Sequence, residues 1–204
     1  LAVEDDFFGV TWSTGDLIAS GNRKGRIRVL TPDGDVTASF DIGTRPTHFA
    51  FSPDGTKLAI GTARPSTVVW DKATGATHEV PGRVERIVDV AWLDDQRVVY
   101  ADRAGVLEVV SDGRGTPLAE LGAVVSAIAT DHTIVAVGTR GGDVALWTVG
   151  PTLAPGRKVH LPSPVWSVAV QRGKVAVGLH DGSVRLVSTR ADDPAGDVLS
   201  PMPH

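Results

Sequence analysis

The sequence predicts an all-β fold of five repeated four-stranded antiparallel units, and three observations carry that expectation. Glycine and proline number 23 and 13 in 204 residues with no collagen-like period, so about one residue in six favours a turn between short elements. A hairpin-shaped segment returns at a nearly constant interval along the chain. Within each return, apolar residues alternate with polar ones at the period of a half-buried strand. The hydrophobic share of 42% and charged share of 22% are those of an ordinary globular chain, not of a disordered one.

The hairpin is read in order. It appears as "LIASGNRKGRIRVLT" (17–31), "LAIGTARPSTVVWD" (58–71), "VVYADRAGVLEVVS" (98–111), "IVAVGTRGGDVALWT" (134–148) and "VAVGLHDGSVRLVS" (175–188). Each is a short apolar run, a turn of small or basic residues and an alternating strand. The turn column Gly25, Pro65, Gly105, Gly142 and Gly182 is spaced by 40, 40, 37 and 40 residues, and so is the column Leu30, Trp70, Val110, Trp147 and Val187. A strand precedes every hairpin ("FFGVTWS", "PTHFAFS", "IVDVAWL", "VVSAIAT", "VWSVAVQ"), and its alternation places Val10, Trp12, Phe49, Phe51, Val90 and Trp92 on buried faces. A weaker strand follows each one ("VTASF", "THEV", "PLAEL", "KVHL", "DVLS"). Four strands in about 40 residues is the pattern of a β-propeller blade. Residues 1–204 are thus expected to form one domain with blades at roughly 7–42, 46–81, 87–122, 124–161 and 165–201.

The segment "FSPDGTKLAIGT…TVVWDKATG", Phe51 to Gly75, resembles one repeat of the WD-repeat β-propeller family, and the likeness extends along the chain at lower fidelity. The family's blade is commonly braced by His, Ser or Thr, Asp and Trp. Here the turn position of the Asp holds Lys24, Arg64, Ala104, Gly141 and Asp181, so no repeat carries the whole brace and apolar packing between sheets must replace it. Five units either close a small ring or form an arc of the seven-bladed ring the family usually makes. "DVLSPMPH" can supply the fifth outer strand, while "LAVED" stands where the outer strand of a preceding blade would be. An open arc would expose two apolar faces.

Chemistry is sparse. Cysteine is absent, which removes disulfides and thiolate metal sites and fits a reducing cytoplasm. No run of about 18 apolar residues is present, so no membrane span is expected, and the acidic start "LAVEDD" is not a signal peptide. The missing initial Met reads as a piece of a longer or processed polypeptide, and the low Cys and Met with abundant Ala, Gly, Val and Arg as a GC-rich bacterial genome. Histidines at 48, 78, 132, 160, 180 and 204 lack metal-ligand spacing, so no metal is expected. Phosphate-loop, dinucleotide and nucleophile-elbow motifs are missing, and no cofactor is expected. Ser167 is read as a small residue near the channel, and the Asp94–Asp95 and Asp192–Asp193 pairs as turn formers.

The surface is more informative. In a WD-type propeller the turn between second and third strands shares a rim with the loop entering the first strand. Those turns carry Arg23, Lys24, Arg64, Arg103, Arg140 and His180, and the entry loops add Arg45, Arg83 and Arg86, although the net charge is -4. The same rim is expected to carry an apolar column of Phe8, Thr47, Val88, Val125 and Trp166. A partly exposed Trp beside Arg is typical of interface anchors, and a basic ring favours an anionic partner.

The leading expectation is therefore a non-catalytic interaction or sensor module that docks a protein partner, or another domain of a longer chain, on this rim. The resemblance further implies bacterial signalling proteins in which WD repeats are joined to a kinase, protease or NTPase domain, here upstream of Leu1. The alternative is an anionic non-protein ligand. Nucleic acid is disfavoured, because few aromatics besides Trp166 and Phe8 are offered for base stacking. An enzyme would need Asp, Glu or His clustered in the channel, where alternation predicts small or apolar residues.

Overall fold

The computed structural model describes residues 7–83, 85–190 and 197–199, the first two and the last three of these by backbone only. It is all-β, with no helix among the described residues. Sheet 1 contains β1 (Phe7–Trp12), β2 (Ile18–Asn22), β3 (Arg26–Leu30) and β4 (Val36–Asp41). Sheet 2 contains β5 (Pro46–Phe51), β6 (Lys57–Thr62), β7 (Ser66–Asp71) and β8 (Thr77–Pro81). Sheet 3 contains β9 (Ile87–Trp92), β10 (Arg97–Asp102), β11 (Val106–Ser111) and β12 (Arg114–Glu120). Sheet 4 contains β13 (Val125–Thr130), β14 (Ile134–Thr139), β15 (Asp143–Thr148) and β16 (Ala154–His160). Sheet 5 contains β17 (Val165–Gln171), β18 (Lys174–Leu179), β19 (Val184–Ser188) and β20 (Asp197–Leu199). Strands pair antiparallel in chain order within every sheet, as expected of propeller-like blades. The outer strands β12 and β16 begin earlier than their weak alternation indicated. The segment Leu1–Asp5 and the Asp192–Asp193 pair lie outside the described residues.

The register repeats from sheet to sheet. Ile18 pairs with Leu30, Leu58 with Trp70, Val98 with Val110, Val135 with Trp147 and Val175 with Val187. Side chains of these pairs all lie on the face turned toward the sheet before, here the preceding face; the opposite side is the following face. Sheets pack in chain order through their first strands, β1 on β5, β5 on β9, β9 on β13 and β13 on β17, and no packing of that extent joins β17 to β1 among the described residues. Four apolar cores fill the four interfaces. Trp70, the Trp of "VVWDKATG", stacks on Phe40 of sheet 1 with ring centroids 5.8 Å apart. Its role is to join sheets.

Burial departs from alternation at the two ends of this series. Phe49, Val90 and Trp92 are buried as expected and Phe51 is half-buried, but Val10 and Trp12 are 71% and 61% exposed. Alternation sets which face a side chain takes. It cannot supply the sheet that would cover that face, and among the described residues none covers the preceding face of sheet 1.

Aspartates close many of the turns. The Ser52 hydroxyl donates to Asp54 at 2.6 Å, the Thr74 N–H to Asp71 at 2.9 Å and the Ser183 hydroxyl to Asp181 at 2.6 Å. These bonds hold all three carboxyls below their ordinary value of 3.8. Burial is the largest single influence on Asp94 and Asp131 and raises both, but the hydrogen bonds from Gln96 and Arg97 to the first, and from Thr133 and Ile134 to the second, together outweigh it, so both are lowered too. As pH falls, the unfolded chain takes up protons at these groups before the folded one does. Their stabilisation is present above 3.8 and lost as pH drops through their lower folded values. Thermal melts across this range are expected to give a lower midpoint at about pH 3 than at about pH 6.

Candidate functional site: a basic rim

Four of the five turns between second and third strands are built alike, the exception being sheet 2, where Pro65 has no N–H to donate. The third N–H of the turn returns to the carbonyl of the residue that ends the second strand: Gly25 to Asn22, Gly105 to Asp102, Gly142 to Thr139 and Gly182 to Leu179. In three of these turns the residue ending the second strand also caps with its side chain. Asn22 Oδ1 accepts the N–H groups of Lys24 (3.0 Å) and Arg26 (2.9 Å), Asp102 Oδ1 that of Val106 (2.9 Å) and Thr139 Oγ1 that of Asp143 (3.1 Å). Thr62, at the same position in sheet 2, accepts the Arg64 N–H at 3.2 Å. This capping column escaped the sequence reading. Its signal was a polar residue (Asn22, Thr62, Asp102 or Thr139) closing the apolar run before four of the five turns; in sheet 5 the place is held by Leu179.

A second set of bonds ties the turns to the entry loops. The N–H of Ala63 donates to the Arg45 carbonyl (2.8 Å), Arg103 to Arg86 (3.0 Å), Arg140 to Val124 (2.8 Å) and His180 to Pro164 (2.9 Å). Turn and entry loop therefore occupy one rim, as expected, and the side chains of Arg23, Lys24, Arg64, Arg103, Arg140 and His180 are all exposed there. Arg45, Arg86, Arg103 and Arg140 form no ion pair among the described residues, while Arg64 Nη2 donates to the Gly43 carbonyl at 3.3 Å. Three carboxylates near the rim have local partners: Asp143 is bound by His160 (2.9 Å) and Lys158 (3.0 Å), which hold it below 3.8, Asp41 accepts the Gly43 N–H, and Asp181, in the turn beside His180, accepts from Ser183.

Arg83 does not join this ring. Its Nε lies 2.8 Å from Glu108 Oε1, and Glu108 also accepts the Tyr100 hydroxyl between sheets 2 and 3. Burial and then that carboxylate push the Tyr100 hydroxyl well above its ordinary 10.0. Arg83 thus neutralises a buried acid, a long-range pairing that local sequence does not encode.

The apolar column needs a shift in register. Pro46, Ile87, Val125 and Val165 are paired with the residues that end the second strands (Thr62, Asp102, Thr139 and Leu179), and the next residue is bulged out of the ladder: Thr47, Val88, Ser126 and Trp166. Val125 is accordingly buried and Ser126 takes its expected place. In sheet 1 the irregularity falls at Gly9, while Phe8 pairs with Gly21; the Phe8 side chain is outside the described ones. A bulge re-aims its side chain, and here it turns the column onto the rim.

The result is a cavity of about 490 Å³ lined by Val88, Ser126, Arg140, Pro164, Trp166 and His180 among others. Trp166 is 65% exposed and meets the His180 ring edge-on at 5.8 Å. A smaller cavity of about 190 Å³, with Arg45, Thr47 and Arg86 in its wall, shares Val88 with the first. Trp166, Arg140 and His180 are thus brought together, whereas Arg23, Lys24, Arg64 and Arg103 lie elsewhere along the rim.

The first strands hold one pair the alternation did not anticipate. His48 Nε2 lies 3.1 Å from Asp89 Oδ1, and Asp89 accepts the N–H of Val90 (2.8 Å) and, from sheet 4, that of Ile128 (2.7 Å). Burial raises the Asp89 carboxyl above 3.8 against the attraction of His48. Its contribution to stability runs opposite to that of the turn aspartates: it is present at low pH and lost as pH rises through the raised value. The pair and its two backbone partners together span sheets 2, 3 and 4, so it works as a polar staple. Among the described residues no group of three or more His, Cys, Asp or Glu is placed to hold a metal ion, and no helix is long and apolar enough to cross a membrane. No protein-family model and no curated protein matches this sequence.

Proposed function

We propose that this chain is a non-catalytic interaction module of the β-propeller type, whose basic rim docks a segment of an acidic protein partner or of another domain. The observation that carries the reading is Trp166, 65% exposed beside Arg140 and His180 in a cavity of about 490 Å³. The bulged position it occupies holds Thr47, Val88 or Ser126 in other sheets, so a large aromatic is not a requirement of the fold. Trp and Arg are among the residue types enriched at the few positions that carry most of an interface's binding energy. The unpaired guanidiniums would steer an acidic segment toward it. A cysteine-free chain suits work in a reducing cytoplasm.

The test uses an arrayed peptide library rich in Asp and Glu. Trp166→Ala is expected to weaken the captured peptides about 10- to 100-fold, near 1.4–3 kcal/mol, with an unchanged thermal midpoint. A midpoint several degrees lower would assign Trp166 to the core instead. Arg140→Glu is expected to slow association and to flatten its salt dependence; an unaltered on-rate removes the basic rim from the mechanism.

The second reading, an anionic non-protein ligand, is favoured by the smaller cavity, where Arg45 and Arg86 flank Thr47 with no carboxylate in the lining. Binding that falls steeply with salt and ignores Trp166 would mark it.

A further inference from the structure

The strongest unassigned feature lies away from the rim and does not depend on it. Trp12 of sheet 1 and Trp92 of sheet 3 occupy the same register position, paired with Ile18 and Val98 respectively. Trp92 is 4% exposed, and its Nε1 donates to the Ala50 carbonyl of sheet 2 at 2.8 Å. Trp12 is 61% exposed, with Val10 and Val36 bare beside it on the same preceding face. The other end of the series mirrors this. Ala136, Val144 and Leu146 are covered by sheet 5, whereas their register equivalents Ala176, Val184 and Leu186 are only half-buried or exposed on its following face. Four interior interfaces show what covers such faces, and in every one it is another four-stranded sheet.

We infer that the preceding face of sheet 1 is a docking site for a further four-stranded antiparallel sheet of this same repeat. The incoming sheet presents small apolar residues, as sheet 2 does with Ala59 and Val80, and a first-strand carbonyl that accepts the Trp12 Nε1–H. The following face of sheet 5 is the matching surface at the other end. Exposed Trp and Val in a contiguous face are unfavourable in water, and burial against a flat Ala/Val layer relieves that in the way already seen inside the molecule.

The experiment supplies such a sheet. Residues 46–86 are duplicated ahead of Phe7 in place of residues 1–6, which sets the copied Ala50 carbonyl opposite Trp12. Trp12 emission, isolated by difference against Trp12→Phe, is expected to lose most of its iodide quenching, and the thermal midpoint to rise by roughly 5–10 °C. Trp12→Ala, nearly silent in the 204-residue chain, should then lower the midpoint as Trp92→Ala does. Unchanged quenching, or a Trp12→Ala substitution silent in both chains, overturns the inference. Should the extended chain not fold, the 204-residue chain decides. Iodide-accessible Trp12 and hydrophobic-dye binding that Trp12→Lys abolishes support the site; a Trp12 already shielded from iodide overturns it, because the two ends then cover each other.

Discussion

Replacing Trp92 by alanine is expected to cost about 3–5 kcal/mol, the range for removing a large buried aromatic, and to lower the thermal midpoint by roughly 10 °C. Trp92 is 4% exposed in the core between sheets 2 and 3, packed with Val90, Val98 and Val110. Its removal leaves a cavity bounded by strands of two sheets, whose backbones are held by their own ladders and cannot close in. It also orphans the Ala50 carbonyl that accepted its indole N–H. Denaturant unfolding of the variant beside Trp12→Ala checks the argument, because both substitutions change the same residue at the same register. Trp12→Ala is expected to cost less than about 1 kcal/mol, as exposed sites do. Equal losses would mean that Trp12 is buried in solution.

Gly105→Ala is expected to cost about 2–4 kcal/mol through strain and steric conflict together. Gly105 has φ +90 in the turn between β10 and β11, and an added Cβ would stand 2.4 Å from the Ala123 carbonyl oxygen. That neighbour is backbone, so no side-chain rotation relieves the contact. Movement would pull on the Leu121 N–H bond to the Gly105 carbonyl and on the entry-loop bond from Arg103 to Arg86. Gly122 is the control: its φ is +65, but nothing lies within 4 Å of its Cβ position. Gly122→Ala is expected to cost about 1 kcal/mol, the conformational penalty alone. Unfolding midpoints in urea separate the two, and a Gly105 variant no worse than Gly122→Ala would refute the crowding.

Much of this architecture was legible before the structure. The turn glycines and the column from Leu30 to Val187 recur in one register because every unit solves the same local problem, an antiparallel hairpin with one basic turn. The rim residues were legible for the same reason: a turn between two identified strands has only one end of the sheet to occupy. What escaped was non-local. The bulge that exchanges Ser126 for Val125 depends on how β13 meets β14, and Arg83 is claimed by a glutamate 25 positions away. The His48–Asp89 pair joins first strands of two different sheets, so no single repeat contains it.

Strand order, turn chemistry and the side of the sheet each residue takes follow from alternation and from glycine placement, both local properties of the chain. Exposure is different in kind. Trp12 and Trp92 have the same local pattern and register, yet one is bare and the other buried, because burial belongs to a pair of sheets and not to either alone. The same holds at the rim, where Arg140, Trp166 and His180 become one cavity wall only after sheets 4 and 5 pack.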